Sequence, residues 1–309
     1  MRRIWVLCLL ACQSPAAPPS PSPAAEPPPP EAAVELAPSE PAPSEPTPPE
    51  PEPVAAPPAQ GACPPEDGWP EGMACVPGGS FTVGTADGDP DDGPPGDASV
   101  STFFYDRVEV DNAHYEACLE AGACPMNRRY RHFRAALQPI VGVSWYGARD
   151  YCAWVGSRLP TDAEFEYAAR GPDGTVFPWG DETASPCERA VVKTRAGEGC
   201  GTEVTAEVGS RPAGYFGLHD LAGNVHEWTA DHWAPCLRGC ARECGDACFG
   251  EDPRGPCGGD EACPGYPLRS VRGGSWFWPL DDSRGAARRG AVPANEGGHR
   301  FGFRCARDL

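Results

Sequence analysis

The sequence predicts an α+β domain with two main helices, short strands and much irregular backbone, stapled by disulfides. Three observations carry that reading. Good helical periodicity is confined to two stretches, near residues 145–155 and 162–170. Beyond Gly171, Gly, Pro and Trp punctuate the chain so closely that no long periodic segment follows. Of the 16 cysteines, all but Cys8 and Cys12 lie from Cys63 onward. That leaves an even number behind an export signal, as a disulfide framework requires.

The elements follow in chain order. Arg2 and Arg3 precede an apolar run over residues 4–11. The run is too short to cross a bilayer as a helix and reads as a secretory signal. Leu9-Leu10-Ala11-Cys12 fits a bacterial lipobox, with lipid on the Cys12 sulfur; an ordinary signal peptide with a chance Cys is the alternative. Residues 13–60 hold 19 of the 40 prolines, seven glutamates and no Lys or Arg. So few apolar groups cannot offset the entropy of ordering, so 13–62 reads as a disordered, polyproline-biased tether. Extended, it would reach on the order of 150 Å. The folded part, 63–309, is large enough for one sizeable core. Setting aside Arg2, Arg3 and the seven tether glutamates turns the net charge of −19 into −14. A surface that acidic argues against nucleic acid or anionic lipid as partner, leaving the lipid anchor as the one contact with a membrane.

Val76-Pro77-Gly78-Gly79-Ser80-Phe81-Thr82-Val83-Gly84 reads as a turn feeding a short alternating strand. The acidic Gly/Pro run over 86–97 reads as a surface loop, and 103–110 as a second strand. Asn112 can cap a short helix carrying Tyr115 and Leu119. Ser144 can cap a helix whose Trp145, Ala148, Tyr151, Cys152 and Val155 share one face. Thr161-Asp162-Ala163-Glu164 is a capping box. Spacing suggests the pairs Cys63 with Cys75, Cys118 with Cys124 and Cys187 with Cys200, though spacing alone leaves connectivity open. An insertion over 234–267 carries Cys236, Cys240, Cys244, Cys248, Cys257 and Cys263. Three disulfides in a coreless knob or a thiolate metal cluster would both use them, and an exported chain favours the disulfides.

The chain is organised around Gly217-Leu218-His219-Asp220-Leu221-Ala222-Gly223-Asn224-Val225-His226-Glu227-Trp228. That mixture suits neither an amphipathic helix nor a clean strand, but a buried loop with anchored apolar side chains and sharp turns. With RLPTDAEFEYAAR at 158–170, FPWG at 177–180, RGGSW at 272–276 and GFR at 302–304, it makes five blocks in one order. In these blocks the chain resembles the formylglycine-generating enzyme (sulfatase-modifying factor) family. The resemblance implies that family's variant of the C-type-lectin fold. It also implies a disulfide from Cys152 to Cys305 and a calcium site formed by Asp220, Gly223, Val225 and Glu227. Two carboxylates and two carbonyls are hard oxygen ligands that suit Ca²⁺; local binding of backbone amides is the other use of Asp220 and Glu227. A second family calcium site depends on an Asn after the PWG block, where this chain has Cys187-Glu188-Arg189-Ala190-Val191.

One departure decides the chemistry. Family members that make formylglycine bind copper(I) between two cysteines just after RGGS, thiolates being ligands that suit this soft ion. Those positions, three and eight residues past Ser275, hold Trp278 and Ser283 here. A tryptophan of the central loop is replaced by His226. Copper is therefore not expected, and Ser275, with no evident base nearby, supports no hydrolase reading. His219, His226 and Glu227 could imitate part of a metal triad, although a loop histidine is more often structural. The expected function is that of an exported domain, lipid-anchored to the bacterial envelope, that binds a peptide, a glycan or an envelope protein. The alternative is a formylglycine-type oxidoreductase working through other residues or another metal.

Overall fold

Short strands form where alternating or fully apolar runs meet Pro–Gly turns. Residues Met73–Val76 (β1) are all buried, and Pro77-Gly78 turns the chain into Gly79–Val83 (β2), whose Phe81 and Val83 point inward while Ser80 and Thr82 face solvent. In the computed structural model, residues 61–234, 248–294 and 298–309 are described. The chain divides into the units Met1–Val54 and Ala55–Leu309, and all described residues lie in the second. The Cys12 anchor, the tether up to residue 60 and Cys236, Cys240 and Cys244 thus lie outside the described residues.

Three small sheets carry the fold. β2 pairs antiparallel with Gly96–Val100 (β3). Phe103–Asp106 (β4) lies between β1 and the C-terminal strand Ala306–Asp308 (β10), antiparallel to both. The third sheet runs in the order β8-β7-β5-β9, from Arg288–Ala291, Arg269–Arg272, His226–His232 and Phe301–Gly302. A two-residue strand of the insertion, Gly250–Glu251 (β6), runs parallel to β3.

Three α-helices accompany the sheets: Asn112–Glu120 (α1), Trp145–Trp154 (α2) and Asp162–Arg170 (α3). Two main helices were expected, but α1 is as long as α3. The α1 cap is Asp111 rather than Asn112: the Asp111 side chain accepts the His114 N–H, while Asn112 Nδ2 donates to the carbonyls of Phe133, Ala135 and Gln138. Ser144 caps α2 by accepting the Gly147 N–H, and the Thr161–Glu164 box caps α3 reciprocally. Val155 lies past the end of α2 and is 40% exposed, so it leaves the apolar face. The second strand stops at Asp106 instead of Val110. Val110 instead donates to Phe303 and accepts from Ile140.

The apolar faces of α1 and α2 meet Trp228 and Phe303 in one core, and α3 packs Phe165 and Tyr167 on Phe81 and Phe103 in another. Five disulfides are present among the described residues: Cys63–Cys75, Cys118–Cys124, Cys152–Cys305, Cys187–Cys200 and Cys257–Cys263. The first four join the pairs named above, and Cys248 is also disulfide-bonded. No helix among the described residues is long and apolar enough to cross a membrane.

Candidate functional site

The central loop is built by left-handed backbone at Asp220, Gly223 and Asn224 (φ 58°, 90° and 54°). At Gly223 a side chain has no room, because a Cβ would stand 2.6 Å from the Val191 carbonyl. Leu218, Leu221, Ala222 and Val225 anchor the loop in the core. Its polar groups turn to one another. Asn224 Nδ2 donates to Glu109 Oε2 at 2.6 Å, and its Oδ1 accepts the Ala206 N–H at 3.0 Å. The Val225 N–H donates to Glu109 Oε1 at 3.1 Å. Asp220 Oδ2 accepts the Gly209 N–H at 2.6 Å. Glu227 takes Arg304 in a two-pronged pair, 2.7 Å on each oxygen, with neither side chain exposed.

This places three buried carboxylates, Glu109, Asp220 and Glu227, around one guanidinium. Burial pushes the Glu109 carboxyl well above its usual range, and the Asp220 and Glu227 charges push the same way. Burial also raises Asp220 and Glu227, the latter against the pull of Arg304. Among the described residues, no three carboxylate, imidazole or thiol side chains converge as a site made of side chains alone would need. The expected set needs only Asp220 and Glu227, with the carbonyls of Gly223 and Val225, and it would have to share Glu227 with Arg304. Glu109 and Arg304 went unnoticed as site residues in the sequence. Glu109 lies 115 residues from Asn224, with no local signal, and Arg304 stood only as the last letter of GFR.

His226 is buried, its ring stacks on Phe301, and its Nδ1 makes no hydrogen bond. Burial first, then the charge of Arg289, pushes its pKa down to about 3. His219 turns Nδ1 to the Arg211 carbonyl at 2.7 Å, and Glu227 is held by Arg304, so the three do not assemble as a metal triad.

The two positions where the resemblance puts copper thiolates, Trp278 and Ser283, differ in kind, and Ser275 before them resembles the second. Ser275 and Ser283 are 0% exposed, and neither hydroxyl makes a hydrogen bond. Ser283 lies over Gly274, where a Cβ would overlap the Ser283 Oγ. Trp278 is half-buried at the surface, with its N–H on the Ser275 carbonyl and its own carbonyl taking the Lys193 N–H. Arg289 and Arg300 stand over its ring at 5.5 and 5.6 Å. The two serine hydroxyls are therefore sealed, and the surface above them is aromatic and cationic.

Residues 61–309 match the sulfatase-modifying factor enzyme 1-like domain. The chain belongs to the sulfatase-modifying factor family. It is 32% identical over 260 residues to the serine/threonine-protein kinase pkn1 of Chlamydia pneumoniae, covering 77% of this chain but 38% of that protein's length. It is 30% identical over 299 residues to the formylglycine-generating enzyme of Thermomonospora curvata, covering 77% of this chain and 94% of that enzyme. The inactive C-alpha-formylglycine-generating enzyme 2 of Mus musculus is 28% identical over 291 residues, covering 76% and 85%. Among solved structures, PvdO from Pseudomonas aeruginosa superposes with a TM-score of 0.62 at 30% identity, covering 77% of this chain and 94% of that one. The family thus includes members named as enzymes and members named as inactive, on one scaffold.

Proposed function

We propose that this chain is a binding member of the sulfatase-modifying factor family that does not use copper, exported and lipid-anchored through Cys12 on its proline-rich tether. Its ligand is a peptide, a glycan or another envelope component, taken at the face around Trp278, and calcium steadies the central loop behind that face. The carrying observation is the triplet Ser275, Trp278 and Ser283. The family's thiolate positions hold an indole and a sealed hydroxyl, neither a ligand for copper(I). The inactive murine relative supports a scaffold that outlives its chemistry.

The test is incubation with copper(I), reductant, oxygen and a cysteine-containing sulfatase-type peptide, followed by mass analysis of the peptide. No aldehyde is expected above the no-protein control, and aldehyde formed by the wild-type protein overturns the reading. A second reading, oxidation through other residues or another metal, draws on one observation: His226, Ser275 and Ser283 each bury a polar atom with no partner. Aldehyde lost on His226→Phe would favour it.

A further inference from the structure

The outer face of the Trp278 segment carries a feature that its fold does not require. Phe277 and Trp278 meet edge to face, with ring centroids 5.3 Å apart, and cations stand over both rings. Arg300 lies 5.0 Å from the Phe277 centroid and 5.6 Å from that of Trp278. Lys193 covers Phe277 at 5.8 Å and Arg289 covers Trp278 at 5.5 Å. Lys193 has a carboxylate partner in Glu198 at 2.8 Å, and Arg289 has one in Asp282. Arg300 has none among the described residues, and its buried Nε makes no hydrogen bond. A guanidinium seated beside both rings, with no carboxylate partner among the described residues, keeps donors for a planar, two-oxygen acceptor. It occurs on a domain whose formal charge is otherwise strongly negative, so the attraction for an anion is local to this island and acts against the field of the rest.

We propose that Arg300, flanked by Lys193 and Arg289 on the Phe277–Trp278 pair, binds a carboxylate of an acidic peptide segment. The inference rests on the binding reading above and names the ligand class of that face. A peptide is favoured over a sugar because the rings are already engaged by cations. A sugar would need a free aromatic face to stack on, whereas a side-chain carboxylate needs only the exposed edge of the guanidinium.

The probe is an acetylated, amidated hexapeptide alternating Glu and Gly, titrated onto the full oxidised chain. Gln/Gly and Lys/Gly peptides of equal length and trigalacturonate serve as comparisons. The Glu peptide should bind about tenfold or more tighter than the Gln peptide and weaken as salt rises. Arg300→Gln should bring it to the level of the Gln peptide, and Arg300→Lys should recover part, since an ammonium keeps the charge but not the fork. If Arg300→Gln does not fold, Lys193→Gln and Arg289→Gln, both at half-exposed side chains, should each weaken the Glu peptide by a smaller factor. Equal binding of Glu and Gln peptides, binding of neither, or wild-type affinity in a folded Arg300→Gln overturns the proposal. Trigalacturonate bound as tightly as the Glu peptide overturns the assignment to peptides. If the Gln peptide binds equally well and Trp278→Ala abolishes it, the binding face stands and only the carboxylate preference falls. Aldehyde production in the copper assay would instead remove the reading beneath it.

Discussion

Replacing Arg304 by Met tests the centre of the domain. Arg304 is wholly buried and gives both prongs to Glu227, with further donations to the carbonyls of Asp106 and Arg107. Methionine fills much of the same volume but leaves Glu227 buried without a cation, beside Glu109 and Asp220. Breaking a buried pair from one side costs about 3–5 kcal/mol, chiefly because the stranded charge has lost its water. Against a total stability of about 5–15 kcal/mol, that is a large fraction. For a domain of this size about 2–4 °C of melting temperature accompany each kcal/mol, so a drop of about 6–20 °C is expected near pH 7. The deficit should shrink as pH falls, because protonation removes the stranded charge. It should also shrink in Arg304→Met/Glu227→Gln, where no charge is left alone. Thermal unfolding followed by circular dichroism, with disulfides intact, reads all three. A single variant that melts within about 1 °C of wild type near pH 7 would refute the reasoning.

Further outcomes follow from the same structure. Burial, reinforced by the nearby Asp162 charge, lifts the Asp231 carboxyl from 3.8 to about 7. Its proton is therefore bound more tightly folded than unfolded, and the contribution present below about pH 4 is lost as pH rises through about 7. Asp231→Asn keeps an oxygen for the Asp162 N–H, which Asp231 Oδ2 accepts at 2.7 Å, so it should flatten that part of the stability–pH curve in urea titrations. The Cys152–Cys305 bridge closes a span of 153 residues, and replacing both by Ser should cost about 5 kcal/mol by the chain-entropy argument, measured by urea denaturation. Millimolar Ca²⁺ should raise the melting temperature of wild type and less that of Glu227→Gln, and identical curves with calcium and with chelator would leave the loop purely structural. Cys12→Ala should move the protein from the detergent to the aqueous phase.

What was legible in the sequence was local. The Thr161–Glu164 box spans one turn, so its residues name each other. Even there a neighbour can mislead: Asp111 and Asn112 can both cap, and the contacts of Asn112 with the 133–138 carbonyls decide between them from across the fold. The strands β9 and β10, two and three residues long, are too short to show any period. The charge lattice was illegible for the opposite reason. Glu227 meets Arg304 across 77 residues, and Arg272 meets Asp162 across 110, so no window holds both partners. The same distance hid the site's cationic rim, where Lys193, Arg289 and Arg300 come from three separate segments.

The blocks that carry the family likeness are, residue by residue, the blocks that hold the frame together. From RLPTDAEFEYAAR, Arg158 pairs with Glu164, Arg170 with Glu166, and Asp162 and Glu166 together take Arg272 of RGGSW at 2.8 and 2.6 Å. Arg288 also reaches Asp162, at 2.8 Å. Against the cost of burial, Arg272 and Arg288 hold Asp162 below its usual range. GNVHEW supplies Glu227 to Arg304 of GFR and, through Asn224, meets Glu109. Buried ion pairs of this kind add little net stability over an apolar core, but each one-sided change is costly, so the set can change only together. Among the described residues the segment from Phe277 to Ser283 makes no fully buried ion pair: Asp282 meets the half-exposed Arg289, and the half-buried rings meet cations at the surface. A sequence can therefore keep every block that builds the scaffold while exchanging copper thiolates for an indole and a hydroxyl. The likeness fixes the frame, and the chemistry has to be argued from positions 278, 283 and 300 alone.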